Sequence, residues 1–217
     1  SDQTAGYRTA INAFRGFASL FVVLYHLRYY NDFDWFGVFP FLRYGYIGVD
    51  FFFILSGLIV SHVYLTKSAT GNFDFWKKFI WYRVARLFPV HLLIMLLMLL
   101  AALVPPLLAG SEPALDEQDY AWNSPAWSIS AEFFAYLVVF PLIAYFTRNN
   151  MGRSAGMMLA FVGSLLLLLM IASAGTINVK AYTGPLIRVT GGFMLGSGLY
   201  LILSSLKAVR NWDWLLG

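Results

Sequence analysis

Cysteine is absent from the 217 residues. Its absence excludes disulfides, thiolate metal sites and cysteine nucleophiles, and leaves the redox compartment undetermined. Charge is scarce too. Asp, Glu, Lys and Arg make up 12% of the chain, against about a quarter in a soluble domain. There is no Gly-rich phosphate loop after a strand, no G-x-S-x-G elbow and no metal-ligand spacing among the three histidines. A net charge of +4 does not point to nucleic acid, because the basic residues sit in particular loops. What fills the chain instead is apolar: 59% hydrophobic residues in long runs, with aromatics at 18% and many of them at the ends of those runs. That pattern predicts an all-α, polytopic membrane helix bundle with an interfacial aromatic belt.

The runs predict about six transmembrane helices, near Ile11–Tyr30, Ile47–Leu65, Val90–Leu108, Ala126–Phe146, Ala155–Ala174 and Pro185–Leu206. Between the second and third lies Thr66–Phe88, with Lys67, Lys77, Lys78, Arg83 and Arg86 among aromatics, ending at Pro89. This segment is predicted as a cytoplasmic interfacial helix whose mixed face suits docking on the bundle. Gly57 with Ser61, and Gly192 with Gly196, are small-xxx-small pairs that predict close helix approach. Basic residues concentrate in alternate loops, which by the positive-inside rule predicts both termini in the cytoplasm.

Few polar residues are left to carry chemistry. Arg15 and His26 are eleven residues apart, almost three turns, so they share a helix face about 16 Å apart along the axis. A snorkelling arginine with a hydrogen-bonded histidine explains that pair as well as a functional cation and base do. Arg83 and Arg86, at i and i+3, are neighbours on a helix and offer a grip for phosphate; positive-inside anchoring explains them too. Ser128 and Glu132 stand at i and i+4. A carboxyl group in a span is costly, and serves either as an acid or as the partner of a cation such as Arg28 or Arg188. Asp50, with Ser56 in the same span, is expected to hydrogen-bond at the outer interface. His62 and His91, near helix ends, are expected to be structural. These clusters fit group transfer across the membrane with a histidine as base or transient carrier, and fit a proton-coupled transporter equally.

Four stretches, in order, resemble the acyltransferase 3 family: FRGFASLFVVLYH with its Arg-x10-His spacing, GVDFFFILSG at Gly48–Gly57, YRVARLFP at Tyr82–Pro89 and WSISAEFFAYLVVFPL at Trp127–Leu142. The resemblance covers about residues 7–145, and FMLGSGLYL adds a weaker likeness. It implies a membrane enzyme of the bacterial cytoplasmic (inner) membrane. Such an enzyme moves an acyl group, commonly acetyl, from acyl-CoA to a carbohydrate or glycoconjugate hydroxyl, with no metal. It further implies His26 as the catalytic histidine, Arg15 as its partner, Arg83 and Arg86 at the CoA phosphates, and Ser128 and Glu132 as a Ser-x-x-x-Glu motif. Members of the family typically carry more spans, so residues 1–217 are read as an acyltransferase 3-like transmembrane domain, either an N-terminal portion of a longer protein or a shortened member, with Trp212–Gly217 resembling the start of a further segment.

Overall fold

A backbone surrounded by hydrocarbon must satisfy its own hydrogen bonds, and an apolar run does so as a helix. The computed structural model describes residues 2–27, 35–109, 127–174 and 183–206, and contains helices and no strand among them. The acidic loop and the segment holding Arg28, Asp32 and Asp34 lie outside the described residues. In chain order the elements are α1 (Asp2–Leu27), a short α2 (Trp35–Val38) followed by a 3-10 turn (Pro40–Tyr44), α3 (Ile47–Ser68), α4 (Phe73–Ala109), α5 (Trp127–Thr147), α6 (Arg153–Ala174) and α7 (Gly184–Ser205). Among the described residues five helices are long and apolar enough to cross a membrane, and a shorter apolar stretch, Ala13–His26, lies in α1.

The packing is set by small residues. A Cβ on Gly196 would overlap the carbonyl of Ile54, and one on Gly57 the carbonyl of Phe193. Helices α3 and α7 therefore touch backbone to backbone, as the two small-xxx-small pairs predict. On the other side of α7, a Cβ on Gly198 would stand 2.6 Å from the Gly156 carbonyl oxygen, so α6 approaches as closely. Helix α7 is thus gripped on both faces and forms the centre of the bundle. Contacts along the helices give their directions. Gly48 sits against Ala18 and Val22, while Gly45 meets Phe21 and Tyr25, so α1 and α3 are antiparallel. Trp127 meets Phe53, and Glu132 and Tyr136 meet Ser56, so α3 and α5 run the same way. Helices α3, α5 and α7 run one way and α1, α4 and α6 the other, which is the alternation expected of successive crossings.

The first helix begins at Asp2 rather than at the expected Ile11, and a larger departure follows the second span. The basic segment and the third span, read as two elements divided at Pro89, form one 37-residue helix, α4. Proline's fixed φ suits a helix, but its missing N–H leaves the Ala85 carbonyl without that donor and its ring crowds the same carbonyl; membrane helices tolerate this because local backbone adjustments and neighbouring groups satisfy the freed carbonyl. The aromatic-basic part still docks as expected: Phe79 and Arg83 are buried while Trp81 and Tyr82 face outwards. Between Val90 and Val104 the described large apolar side chains of α4 are exposed, a surface that suits lipid. Helix α5 contains a π-helical turn at Ala135–Val139, where the Phe140 N–H donates to the Ala135 carbonyl. Such wider turns are frequent at functional sites, and this one surrounds Tyr136 just ahead of Pro141.

The core is aromatic. Phe79, Phe140, Phe193 and Tyr136 form edge-on and tilted contacts, with centroids 5.0 to 6.4 Å apart, where α4, α5 and α7 meet. One ion pair lies within the described part of the bundle: Arg188 donates from Nε to Asp50 Oδ1 at 2.9 Å and from Nη2 to Oδ2 at 2.7 Å. Asp50 therefore makes its hydrogen bonds to another helix of the bundle, as half of an ion pair. Its helix face is turned to α7, and a buried guanidinium there demands a carboxylate. Arg188 also donates to the Tyr46 carbonyl and lies 5.1 Å from the Trp127 ring.

Candidate active site

A cavity of about 390 Å³ opens between α1, α3, α4 and α5, within the usual range for a small-molecule site. Each helix contributes polar groups at helical spacing. Helix α1 brings Arg15 and Ser19, with Val22 and Val23 further along. Helix α3 brings Ser56 among apolar residues, α4 brings Arg83 and Arg86, and α5 brings Ser128, Glu132 and Tyr136. Three guanidiniums and one carboxylate thus share one space.

The arginines differ in their surroundings. Arg83 is 7% exposed. Its Nη2 donates to the Tyr64 hydroxyl at 3.1 Å, and its Cζ lies 5.1 to 5.7 Å from the ring centroids of Tyr64, Tyr136 and Phe79. Its buried Nε–H has no hydrogen-bond partner among the described residues. Arg86, one turn on, is exposed at the cavity's edge. Arg15 is half-buried and feels Arg86 as a like charge and Glu132 as an opposite one. Among the described residues neither Arg15 nor Arg86 forms a hydrogen bond or ion pair through its guanidinium.

Glu132 is held by hydroxyls instead. Ser56 Oγ donates to its Oε1 at 2.9 Å, and the Tyr136 hydroxyl donates to the same oxygen. Ser56 and Tyr136 also touch each other at 2.8 Å. The partner expected from sequence, Arg188, belongs to Asp50 instead, and Arg28 lies outside the described residues. Ser56 joins Glu132 rather than Asp50, because six residues along a helix turn it to another face.

His26 does not line the cavity. Its ring is half-buried, stands edge-on to Tyr25 at 5.2 Å, and has Nδ1 2.8 Å from the Val22 carbonyl. A carbonyl only accepts, so in this contact the proton sits on Nδ1 and Nε2 is the basic nitrogen. Arg15, Ser19 and Val22 form one stripe along α1, and His26 is the next residue on it, one turn past Val22. The histidine thus stands just beyond the end of the cavity opposite Arg83 and Arg86.

The structure brings Arg15, Arg83, Arg86, Ser128 and Glu132 together as lining residues and places His26 one turn outside them. Ser19 and Tyr136 were not anticipated. Tyr136 is four residues after Glu132 and eight after Ser128, so helical spacing carried its signal. No group of three His, Asp or Glu side chains that could hold a metal occurs among the described residues.

No match was found among curated proteins or among solved structures. The family model described as an acyltransferase domain matches residues 8–216, nearly the whole chain. The chain belongs to the acyltransferase 3 family, and it is a membrane acyltransferase.

Proposed function

We propose that the cavity binds the acyl donor as a CoA thioester, acetyl-CoA in the first instance, and that the acyl group passes to a carbohydrate hydroxyl near His26. The observation that carries this reading is the charge of the cavity: three guanidiniums face one carboxylate, none of them is paired with it, and Arg83 keeps a buried N–H unused. Burying a cation such as Arg83 without a counter-ion is costly, so the cavity favours an anion. The phosphates of CoA supply it, with Arg86 at the exposed edge as their first contact and planar guanidiniums suited to two-point binding.

In the transfer, His26 Nε2 takes the proton of the acceptor hydroxyl as the oxygen attacks the thioester carbonyl. The C–S bond breaks, and CoA leaves as a thiolate that is then protonated. In the carrier form of the same reaction, Nε2 itself attacks, CoA leaves, and the acyl-imidazole then passes its acyl group to the hydroxyl. The alternation of basic loops supports the orientation: both termini and the arginine end of the cavity cytoplasmic, in a bacterial inner membrane, with His26 towards the acceptor side. A proton-coupled transporter, which the buried charges alone allow, has no need for paired guanidiniums.

The test is transfer of labelled acetyl from acetyl-CoA to polysaccharide acceptors by the protein in membranes. His26→Ala is expected to abolish transfer, and retained turnover would remove the histidine from the mechanism.

A further inference from the structure

Arg83 and Glu132 line the same cavity with opposite charges, yet they form no ion pair. Opposite charges at a protein site attract more strongly than in bulk water, and here they stay unpaired. Tyr136 contacts both. Its hydroxyl donates to Glu132 Oε1, while its ring lies 5.5 Å from the Arg83 Cζ. Ser56 takes the same carboxylate oxygen at 2.9 Å. With Oε1 claimed by two hydroxyls, Oε2 makes no hydrogen bond among the described residues. On the other side, the Tyr64 ring and hydroxyl and the Phe79 ring hold the guanidinium in place.

We infer that Tyr136 is a positioning residue that keeps the cavity's charges from neutralising each other. Its ring keeps Arg83 off Glu132, and its hydroxyl, with Ser56, ties the carboxylate by one oxygen. The Arg83 guanidinium then stays unpaired with the carboxylate and available to the anionic donor, and Glu132 Oε2 stays available to the cavity. The ring and the hydroxyl of one side chain therefore have separate jobs. The inference rests on the reading of the cavity as the acyl-CoA site. A purely structural role is the competing explanation, because the Tyr136 ring also packs on Phe79 and Phe193.

The experiment compares acetyl-CoA affinity and turnover of the protein in nanodiscs with those of Tyr136→Phe, Tyr136→Leu and Tyr136→Leu/Glu132→Gln. Tyr136→Leu removes the spacer and is expected to weaken acetyl-CoA binding by about tenfold, since Arg83 falls onto Glu132. Adding Glu132→Gln takes away the carboxylate that captures Arg83, and should restore the wild-type affinity. Tyr136→Phe keeps the ring, so its affinity should stay within about twofold of wild type while kcat drops. Loss of affinity in Tyr136→Phe, unchanged affinity in Tyr136→Leu, or no recovery in a folded double variant would overturn the spacer role. If Tyr136→Leu does not fold, the Phe variant decides alone: affinity kept with kcat lowered upholds the division of roles, and affinity lost or kcat unchanged overturns it. Absence of acetyl-CoA binding by the wild-type protein would instead refute the donor reading on which the inference stands.

Discussion

At the scale of single residues, the cost of charge in an apolar bundle decides which groups pair. Asp50 and Arg188 satisfy each other through two hydrogen bonds with both side chains buried. Removing one partner leaves the other charged and buried, which costs about 3–5 kcal/mol, whereas replacing both by apolar residues is often neutral. Asp50→Asn is therefore expected to lower the thermal midpoint of the purified protein sharply, and Asp50→Leu/Arg188→Met to recover most of the loss. A single variant as stable as the wild type would show that the pair is not structural. The sequence marked Asp50, Arg188 and Glu132 as costly but not who pairs with whom. The partners are 138 residues apart, and their meeting depends on α3 and α7 running parallel in contact. Tyr136 escaped notice for a related reason: in an aromatic-rich span a tyrosine reads as core, and only its contact with Glu132 and Arg83 gives it another role.

Among whole helices, local patterns were legible and discontinuities were not. Gly57, Ser61, Gly192 and Gly196 marked the α3–α7 contact because small residues at that spacing have one main use in a membrane. Gly196→Leu would drive a side chain into the Ile54 carbonyl. It is expected to part α3 from α7, lower the melting temperature and weaken acetyl-CoA binding, because α3 carries Ser56 on its other side. A stable Gly196→Leu protein with unchanged affinity would show that this contact does not position the site. Pro89 misled the boundary, since proline more often ends helices than runs through them. Membrane helices tolerate it, and the continuity of α4 has a consequence for function: the helix that presents Arg83 and Arg86 is also a span, so the two guanidiniums are fixed to the bundle rather than carried on a separate surface helix.

For the molecule as a whole, the order of apolar runs and the basic loops were enough to anticipate alternating crossings, and the spaced motifs picked out residues that the fold gathers around one cavity. Arg15, Arg83, Arg86, Ser128 and Glu132 come from three separate helices and line one cavity. The placement of His26 was only half legible. Spacing put it on Arg15's face, but its position just past the cavity depends on how far Val22 and Val23 reach along the wall of the cavity. That division, with anion-binding cations inside and a basic nitrogen one turn beyond, is the central claim. It is tested most directly by acetyl-CoA binding isotherms of the protein in nanodiscs beside Arg86→Ala and His26→Ala. Arg86→Ala should bind about tenfold more weakly, a loss of about 1.4 kcal/mol, and His26→Ala should bind as the wild type does. Unchanged affinity in Arg86→Ala, or a loss confined to His26→Ala, would contradict it.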